Sequence, residues 1–574
     1  MASILYHEKT SLSKDTARTS KLAEAINQRA KELADDRKNW ETMWEKITKH
    51  VAPDSSLLFG SNEEGDAGGQ DLYDGTGIYA NNTWADGMQG RLLSRAGEWF
   101  GMALSNAQLN DLMEIKEYLH ELEKHFYRLF RNTNFYGALG PYFRHAGSFC
   151  TASMYIEDVQ QMAKINFNTC HPMEIFLADG PGQKADTVFR KYDLSYKLLG
   201  QEFGEENLDD ETRNMVKTEP HKKTSLIHAC FHKSQGWAKE FFGSWSEGMF
   251  VPPEQRPVAS INVLPGKNII LREAGFDINR YVVWRPRRNP NESYGRGPGT
   301  ASLKDVLVLN SMAESLLRAG QLAADPPWNI PEEMKNKARI SPRGMNYYDE
   351  TARQVTAIDA IGNYPIALEQ EEKRREIIRR HYFTEFFTLL NMAEREMTAF
   401  EVDKRLAETA VLLSPMIGTL ESDFLNPLFD VVYDIEEKAG RLPPPPQILV
   451  QMGEQDIEID YLGTLSRMQK RLHRTQGPLQ ATEILAPYIA ARPEIADNLN
   501  WDAWARMILE EYGAPPEVLN DPRLVQAIRK ARQQAQEEAE NMAQTAEMAD
   551  RVPALNQTVQ KGSPLEAIIG KKAG

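Results

Sequence analysis

Apolar residues recur every three or four positions along several stretches of the chain, which is the spacing of one face of an α-helix. The clearest stretch is 397–437, where they form one continuous stripe. Thr398 and Glu401 have the spacing of a capping box at its start. We therefore predict one long helix, with kinks near Pro415 and Pro427 because proline lacks an amide donor and clashes with the preceding turn.

The same spacing predicts other helices on both sides of this stretch. They cover residues 16–50, 78–104, 111–131, 300–324, 366–382, 461–474, 481–491, 501–512 and 521–548. Between residues 148 and 285 the pattern changes to short runs rich in β-branched and aromatic residues, with a helical insertion at 196–203. We therefore predict an α+β protein that is mainly helical.

Clusters of turn residues divide the chain. Residues 61–77 are rich in Gly, Asp and Asn and predict a mobile loop, and 289–300 collect Gly and Pro as a hinge would. The four prolines 443–446 predict a stiff spacer that ends the long helix. A separate helical region is expected after it.

Composition indicates a soluble intracellular protein with an acidic surface. The 574 residues carry a net charge of −15, and no apolar run approaches the roughly 18 residues of a membrane span. Three widely spaced cysteines favour buried free thiols over disulfides. The net charge argues against a protein that coats nucleic acid, so any basic patch must be local.

One metal-like pattern is present, at His228, Cys230 and His232. Alternation along a strand would place all three side chains on one face, but no second ligand pair stands at a suitable spacing. We favour a strand face whose polar groups are satisfied by neighbours.

Gly295, Gly297 and Gly299 precede a helix as a phosphate-binding loop would. Pro298 removes an amide donor that such a loop would use, so we favour the hinge. No Walker A, nucleophile-elbow or zinc-protease motif occurs in the chain. We therefore expect no catalytic residues, no metal and no cofactor.

The predicted helix 366–382 is basic in its second half. Its cations are Lys373, Arg374, Arg375, Arg379 and Arg380, and the preceding segment adds Lys335, Lys337, Arg339 and Arg343. A solvated charged face is one interpretation. If several copies surround a duplex, the helix could instead offer weak contacts to phosphates without reading sequence.

Residues 383–396 are too apolar for an exposed linker. The apolar members are Phe383, Phe386, Phe387, Leu389 and Leu390. We expect a neighbouring copy of the chain to cover them, in preference to their forming a lid over a small-molecule pocket.

Two stretches resemble the head-to-tail connector, or portal, proteins of short-tailed bacteriophages. They are YGRGPGTASLKDVLVLNSMAESLLRAGQLAADPPW at 294–328 and MTAFEVDKRLAETAVLLSPMIGTLESDFLNPLFDVVYDI at 397–435. The second has the family's capped helix with Glu and Arg early, Pro midway and Pro-Leu late. The likeness extends over nearly the whole chain.

The resemblance implies a portal-type fold divided into named regions. These are an α/β wing at 1–291, a hinge and first stem helix at 292–325, a small α/β clip at 326–365, a second stem helix at 366–382, a tunnel loop at 383–397, a long kinked wing helix at 398–440 and a helical crown with a C-terminal tail at 441–574.

It also implies a dodecameric ring at the head-tail junction of the virion, assembled in the host cytoplasm, through which DNA is packaged and ejected. The implied partners are double-stranded DNA, the terminase packaging motor, the scaffold and major capsid proteins and the tail adaptor, with no membrane. The cations of 366–382 become candidates for the DNA channel. The apolar residues of 383–396, with Asn391, become tunnel-loop candidates, and the basic residues of 335–343 become clip candidates for motor or adaptor contact.

Two other functions remain open from the residues. One is another ring-forming virion adaptor, although adaptors are usually much shorter. The other is a metal-dependent nucleic-acid-processing enzyme, which only the abundance of carboxylates suggests.

Overall fold

The protein contains helices and strands, with helix predominating, as the sequence predicts. The chain forms two compact units, Met1–Gln469 and Lys470–Gly574. The computed structural model describes residues 16–55, 69, 71–106, 108–159, 164–246, 251–325, 327–335, 338, 354–357, 364–392, 411–452, 457–461, 476–492, 494, 497, 500–511 and 522–555.

The first helix, α1, runs from Thr16 to His50, the bounds that the apolar spacing predicts. Its first half packs Leu22 and Leu33 against a five-stranded sheet. Its second half places Trp44 in the largest core cluster. α1 therefore joins the sheet to the helical core.

The second helix, α2 (Thr76–Leu92), is shorter than predicted. The prediction of helix up to residue 104 is wrong, because strand β1 (Phe100–Leu104) follows, with buried residues at alternate positions. β1 pairs in antiparallel register with β12 (Ile457–Tyr461). Most of the predicted loop at 61–77 lies outside the described residues.

Helices α3 (Met113–Asn132) and α4 (Phe135–Ser148) follow β1. α3 matches its prediction within two residues. α4 was not predicted, because an internal proline, Pro141, and several glycines obscure its periodicity. Its buried residues join the same core as those of α2.

Eight strands of the β-rich region form two antiparallel sheets. The three-stranded sheet has the order β3-β2-β9 and the five-stranded sheet the order β4-β5-β6-β7-β8. The strands are β2 (Ala152–Val159), β3 (Lys164–Cys170), β4 (Ile175–Asp179), β5 (Ala185–Ser195), β6 (Lys223–His232), β7 (Val258–Leu264), β8 (Ile269–Phe276) and β9 (Tyr281–Trp284). All the runs predicted as strands fall within these strands or at their ends.

Both faces of the five-stranded sheet carry buried residues. Along β6, Ile227 and Phe231 pack with α1, whereas Leu226 packs with residues of α5 (Tyr196–Phe203). The short helix α6 (Asp210–Thr218) follows α5. β7 was not predicted because every residue in it is buried, so its sequence shows no alternation.

The next part of the chain is a helix pair. α7 (Pro298–Ala324) packs against α8 (Tyr364–His381), and the short strands β10 (Trp328–Asn329) and β11 (Thr356–Ala357) pair between them. Helix α9 (Thr384–Met392) follows α8. The prediction of a loop after α8 is therefore wrong for residues 384–392.

Residues 411–438 are the described part of the long predicted helix. They form α10 (411–420), one π-helical turn (Glu421–Leu425) and α11 (Asn426–Lys438). The turn ends two residues before Pro427, near which a kink was predicted. The predicted capping box lies outside the described residues. The predicted stripe is buried wherever it is described, at Leu413, Ile417, Leu420, Phe424, Leu428, Val431 and Ile435.

After the proline spacer the chain forms α12 (Gln447–Met452) and then β12. The region predicted as the crown, 441–574, thus includes residues of both compact units. Nearly all of the predicted helix 461–474 lies outside the described residues.

The second unit contains α13 (Gln476–Ala491), α14 (Trp501–Glu511) and α15 (Pro522–Leu555), close to the predicted helices. Arg529 of α15 forms two hydrogen bonds of 2.6 Å to the carboxylate of Asp502 in α14. None of the helices that the structure describes is both long and apolar enough to cross a lipid bilayer.

Candidate functional site

The basic helix α8 lies antiparallel to α7. Asp305, near the start of α7, forms an ion pair with Arg374, in the second half of α8. All the buried residues of α7 lie in its first half, up to Asn310. The second half of α7 and the first half of α8 carry exposed apolar side chains, which are Leu317, Leu322, Ile366 and Leu368.

All five cations predicted for the channel have a carboxylate partner within the same chain. Lys373 pairs with Glu369 at 2.7 Å, Arg379 with Glu372 at 3.0 Å and Arg380 with Glu376 at 3.7 Å, each along α8. Arg374 and Arg375 pair with carboxylates outside α8. The five therefore divide into cations on the helix surface and cations that tie α8 to its neighbours.

Arg375 lies at the centre of a charged cluster. Its Nε is 3.0 Å from Asp74 Oδ2, and its terminal nitrogens are 3.2 Å from Glu371 and 3.4 Å from Glu372. The Asp74 side chain is 9% exposed and that of Glu371 is 6% exposed. Removing Arg375 would leave two nearly buried carboxylates without their cation.

Asn310 of α7 holds the segment that supplies Asp74. Its Oδ1 accepts hydrogen bonds from the amides of Tyr73 and Asp74 at 2.7 and 3.3 Å, and its Nδ2 donates to Asp71 O at 2.9 Å. Asp74 in turn accepts from the Thr76 amide at the start of α2. Asn310 of α7 and Arg375 of α8 thus both hold the segment that leads into α2.

The hydrogen bonds of Asp74 determine its protonation. Burial alone would raise the pKa of this carboxyl, but the hydrogen bonds from Thr76 and the Arg375 guanidinium lower it below its usual range. Asp74 is therefore ionised in the folded protein at neutral pH.

The sequence did not identify Asp74 or Asn310 as site residues. An Asp-Gly-Thr run before an apolar-periodic stretch is a helix-start signal that could have drawn attention to Asp74. The partnership with Arg375 joins residues 301 positions apart, and no local pattern encodes it.

The tunnel-loop candidates lie at and after the junction of α8 and α9. Phe383 has a φ of 52°, and Phe386 and Phe387 are 1% and 8% exposed. Phe386 and Phe387 pack against α2 of the same chain. The expectation that a neighbouring copy covers them is therefore wrong for these two residues. The side chains of Leu389, Leu390 and Asn391 lie outside the described part of α9.

Of the clip candidates, Lys335 follows a single 3₁₀ turn, Glu332–Met334. Lys337, Arg339 and Arg343 lie outside the described residues.

The metal-like residues are engaged by other side chains. His228 Nδ1 lies 2.8 Å from the Tyr281 hydroxyl and its Nε2 lies 2.9 Å from Ser260 Oγ. His232 Nδ1 lies 2.6 Å from Ser234 Oγ. Burial lowers the pKa of His228 to about 3, which fits a neutral ring held between two hydroxyls.

The cysteines agree with the sequence analysis. Cys150, Cys170 and Cys230 are all buried free thiols. Burial raises the pKa of Cys170 and Cys230 to about 12, so both remain protonated at neutral pH.

Close packing explains two glycines near the start of α7. A Cβ on Gly295 would lie 2.0 Å from Cys150 O, and one on Gly299 would lie 1.9 Å from Ser148 O. Both positions therefore require glycine because the backbone at the end of α4 approaches them closely. The structure thus accounts for these glycines by close packing, whereas the sequence pattern favoured a hinge.

Comparison with known proteins gives matches over most of the chain. The model of a family described as bacteriophage head to tail connecting protein matches residues 23–519. The portal protein of Salmonella phage epsilon15 is 24% identical over 556 residues, covering 95% of this chain and 97% of the relative. The probable portal protein of Bordetella phage BPP-1 is 24% identical over 543 residues, covering 92% and 95%.

One solved structure with partial similarity is the neck of an empty GTA particle computed with C6 symmetry. It is 10% identical, covers 73% of this chain and 86% of its own, and aligns with a TM-score of 0.31. That score is too low to identify a shared fold.

Proposed function

The chain belongs to the bacteriophage head to tail connecting protein family, and on that premise we propose that it is a portal protein. It forms a ring at one capsid vertex, and DNA enters and leaves the head through the channel of that ring. The observation that carries this proposal is the family match, which spans residues 23–519 without being confined to one part of the fold.

The proposed regions follow the order of elements. Residues 1–291 form the wing, α7 and α8 are the two stem helices, and the segment between them is the clip. Residues 383–397 line the tunnel, 398–440 form the long wing helix and 441–574 form the crown. The pairing of β10 with β11 between the stem helices supports a compact clip.

Ring formation would account for the exposed apolar side chains of the stem. Leu317 and Leu322 of α7 and Ile366 and Leu368 of α8 are about half exposed in a single chain. In a ring, each stem meets a copy on either side, so apolar residues on more than one face of the pair would be covered. We propose a ring of twelve such chains.

The proposed DNA contacts are weak because each stem cation already has a carboxylate neighbour. Lys373 and Arg380 are the most exposed of the five, with side chains 58% and 70% exposed. A phosphate would compete with Glu369 or Glu376 for them, which favours reversible contact over tight binding. Such contact suits a duplex that must slide.

The proposed partners are those of a vertex ring in the virion. A terminase motor would dock on the clip, the scaffold and major capsid proteins would surround the wing, and a tail adaptor would join after packaging. In this role the chain works as a structural channel, and the motor supplies the chemical energy.

Electron microscopy of the purified protein tests the ring. We expect twelvefold rings with a central hole in class averages. A protein that remains monomeric across salt and concentration conditions that favour assembly would contradict the proposal.

Paired substitutions test the DNA contact. Replacing Lys373 and Arg380 with glutamine is expected to leave rings intact and to lower the yield of DNA-filled heads, because two weak phosphate contacts are lost in every copy. The matched control replaces Lys31 and Lys46, two exposed cations of α1, with glutamine. Equal yields from both double variants would refute the contact.

A further inference from the structure

Helix α9 is docked on α2 through two phenylalanines. Phe386 and Phe387 are almost fully buried, and the centres of their rings lie 5.1 Å apart in an edge-to-face arrangement. Both belong to the large core cluster that also contains Trp84 and Met88 of α2. The start of α9 is therefore part of the folded body of the subunit.

Gly87 of α2 makes room for one of these rings. A Cβ on Gly87 would lie 2.2 Å from Phe387 Cδ1 and 2.4 Å from Phe387 Cγ. Contacts this short cannot exist, so any larger residue at position 87 must displace the ring. Three residues further along the same helix, a Cβ on Gly90 would meet nothing within 4 Å.

Arg91 covers both rings from one turn further along α2. Its guanidinium carbon lies 5.1 Å from the centre of the Phe386 ring and 5.8 Å from that of Phe387. Its Nη2 also donates to Phe387 O at 3.3 Å, a contact between residues 296 positions apart. Among the described residues, no carboxylate forms a salt bridge with Arg91, so its partners are the two rings and one carbonyl of α9.

The joint between α8 and α9 is tight. Phe383 adopts a φ of 52°, a left-handed conformation that costs energy for a residue other than glycine. The Phe383 amide donates to Arg380 O, and the Thr384 hydroxyl donates to Arg379 O. The backbone at the joint thus fixes the direction in which α9 leaves α8. The contacts of Phe386 and Phe387 with α2 fix the position of the first turn of α9.

We propose that Gly87 and Arg91 are positioning residues, which form a receptor on α2 that holds Phe386 and Phe387. The receptor fixes where the proposed tunnel segment, residues 383–397, leaves the folded body of the subunit. The inference rests on the proposed function for the role of that segment. The receptor is intramolecular, so each subunit sets the position of its own segment. The segment can shift only when the two rings leave the receptor.

A pair of glycine substitutions in the assembled protein tests the receptor. Gly87→Ala and Gly90→Ala make the same chemical change in the same helix, and both raise the intrinsic helix propensity of α2 by a similar amount. Only the first collides with Phe387. We expect Gly87→Ala to raise the hydrogen-exchange rate of amides in 384–388 about tenfold or more, and Gly90→Ala to leave the rate at the wild-type value.

Arg91→Met provides a second, independent variant. It keeps the apolar stem and removes the guanidinium, so we expect a smaller rise in exchange at 384–388, about threefold to tenfold. The fraction of protein in rings is expected to stay unchanged in both variants. Wild-type exchange in both Gly87→Ala and Arg91→Met would overturn the proposal.

The yield of DNA-filled heads supplies the functional readout. Misplaced tunnel segments are expected to lower the yield several-fold in Gly87→Ala and not in Gly90→Ala. If the wild-type protein forms no rings, the proposed function fails while the exchange result still decides whether the receptor exists. If rings form and both glycine variants give wild-type yield, the positioning role is overturned on its own.

Discussion

Replacing Arg375 with methionine is expected to detach α8 locally from the segment before α2. The substitution keeps the apolar stem and removes the guanidinium that Asp74 and Glu371 share. Both carboxylates are nearly buried, so neither regains full hydration when the cation is lost.

The size of the effect follows from burial. Breaking a buried ion pair by removing one partner costs about 3–5 kcal/mol, whereas a surface pair contributes about 0–1 kcal/mol. The Arg375 side chain is 28% exposed, so the cost lies between these limits. We expect about 2–3 kcal/mol, which is roughly a 30-fold to 160-fold increase in local opening.

The dependence on pH has a definite sign. The folded-state pKa of Asp74 is lowered, so its contribution to stability is present above its unfolded pKa and is lost as pH falls through the folded value. Without Arg375, burial of Asp74 is less compensated and the carboxyl binds a proton more readily. The deficit of Arg375→Met is therefore greatest near neutral pH and shrinks toward pH 4.

Hydrogen exchange at residues 71–76 and 371–378 is the appropriate measurement, because unfolding of a chain with two compact units is not a two-state process. Lys373→Met is the matched control. Lys373 forms an exposed pair with Glu369, so its loss should change stability by about 0.5 kcal/mol or less. If the two variants exchanged at the same rate at pH 7.5, the reasoning from burial would be wrong.

Three further outcomes are expected. Gly299→Ala should yield mostly insoluble protein, because its Cβ would collide with Ser148 O, whereas Gly320→Ala on the exposed half of α7 should express like wild type. Asn310→Ala should speed hydrogen exchange at 71–76, because three hydrogen bonds are lost at a cost of about 2–4 kcal/mol. A thiol reagent at pH 8 should leave all three buried cysteines unmodified over minutes and label all three in guanidinium.

The sequence predicted features whose signal is local. The bounds of α1, the buried stripe of α10 and α11, and most strands of both sheets follow from residue spacing within windows of ten to twenty residues. β7 escaped because full burial removes alternation. α4 escaped because glycine and proline interrupt its apolar period.

Features that depend on distant partners could not be predicted. β1 looked helical from its own residues, and its strand conformation is paired with β12 at the other end of the first unit. Phe386 and Phe387 were correctly predicted to need a cover, but spacing does not say which surface provides it. Spacing likewise does not reveal that Asp305 pairs with Arg374 or that Asp74 pairs with Arg375, because both carboxylates lie outside α8.

The π-helical turn Glu421–Leu425 determines how the two halves of the long helix tolerate changes in length. A π turn holds one residue more than the α-helical turn it replaces, and one residue rotates a helix by about 100°. Two buried residues of α11 that lie outside the predicted stripe, Phe429 and Val432, would face away from the Leu413–Leu420 side if the helix were regular throughout. The turn therefore acts as a register correction that accommodates one extra residue, and deleting one residue within it would restore a regular α-helix with both halves still facing the core.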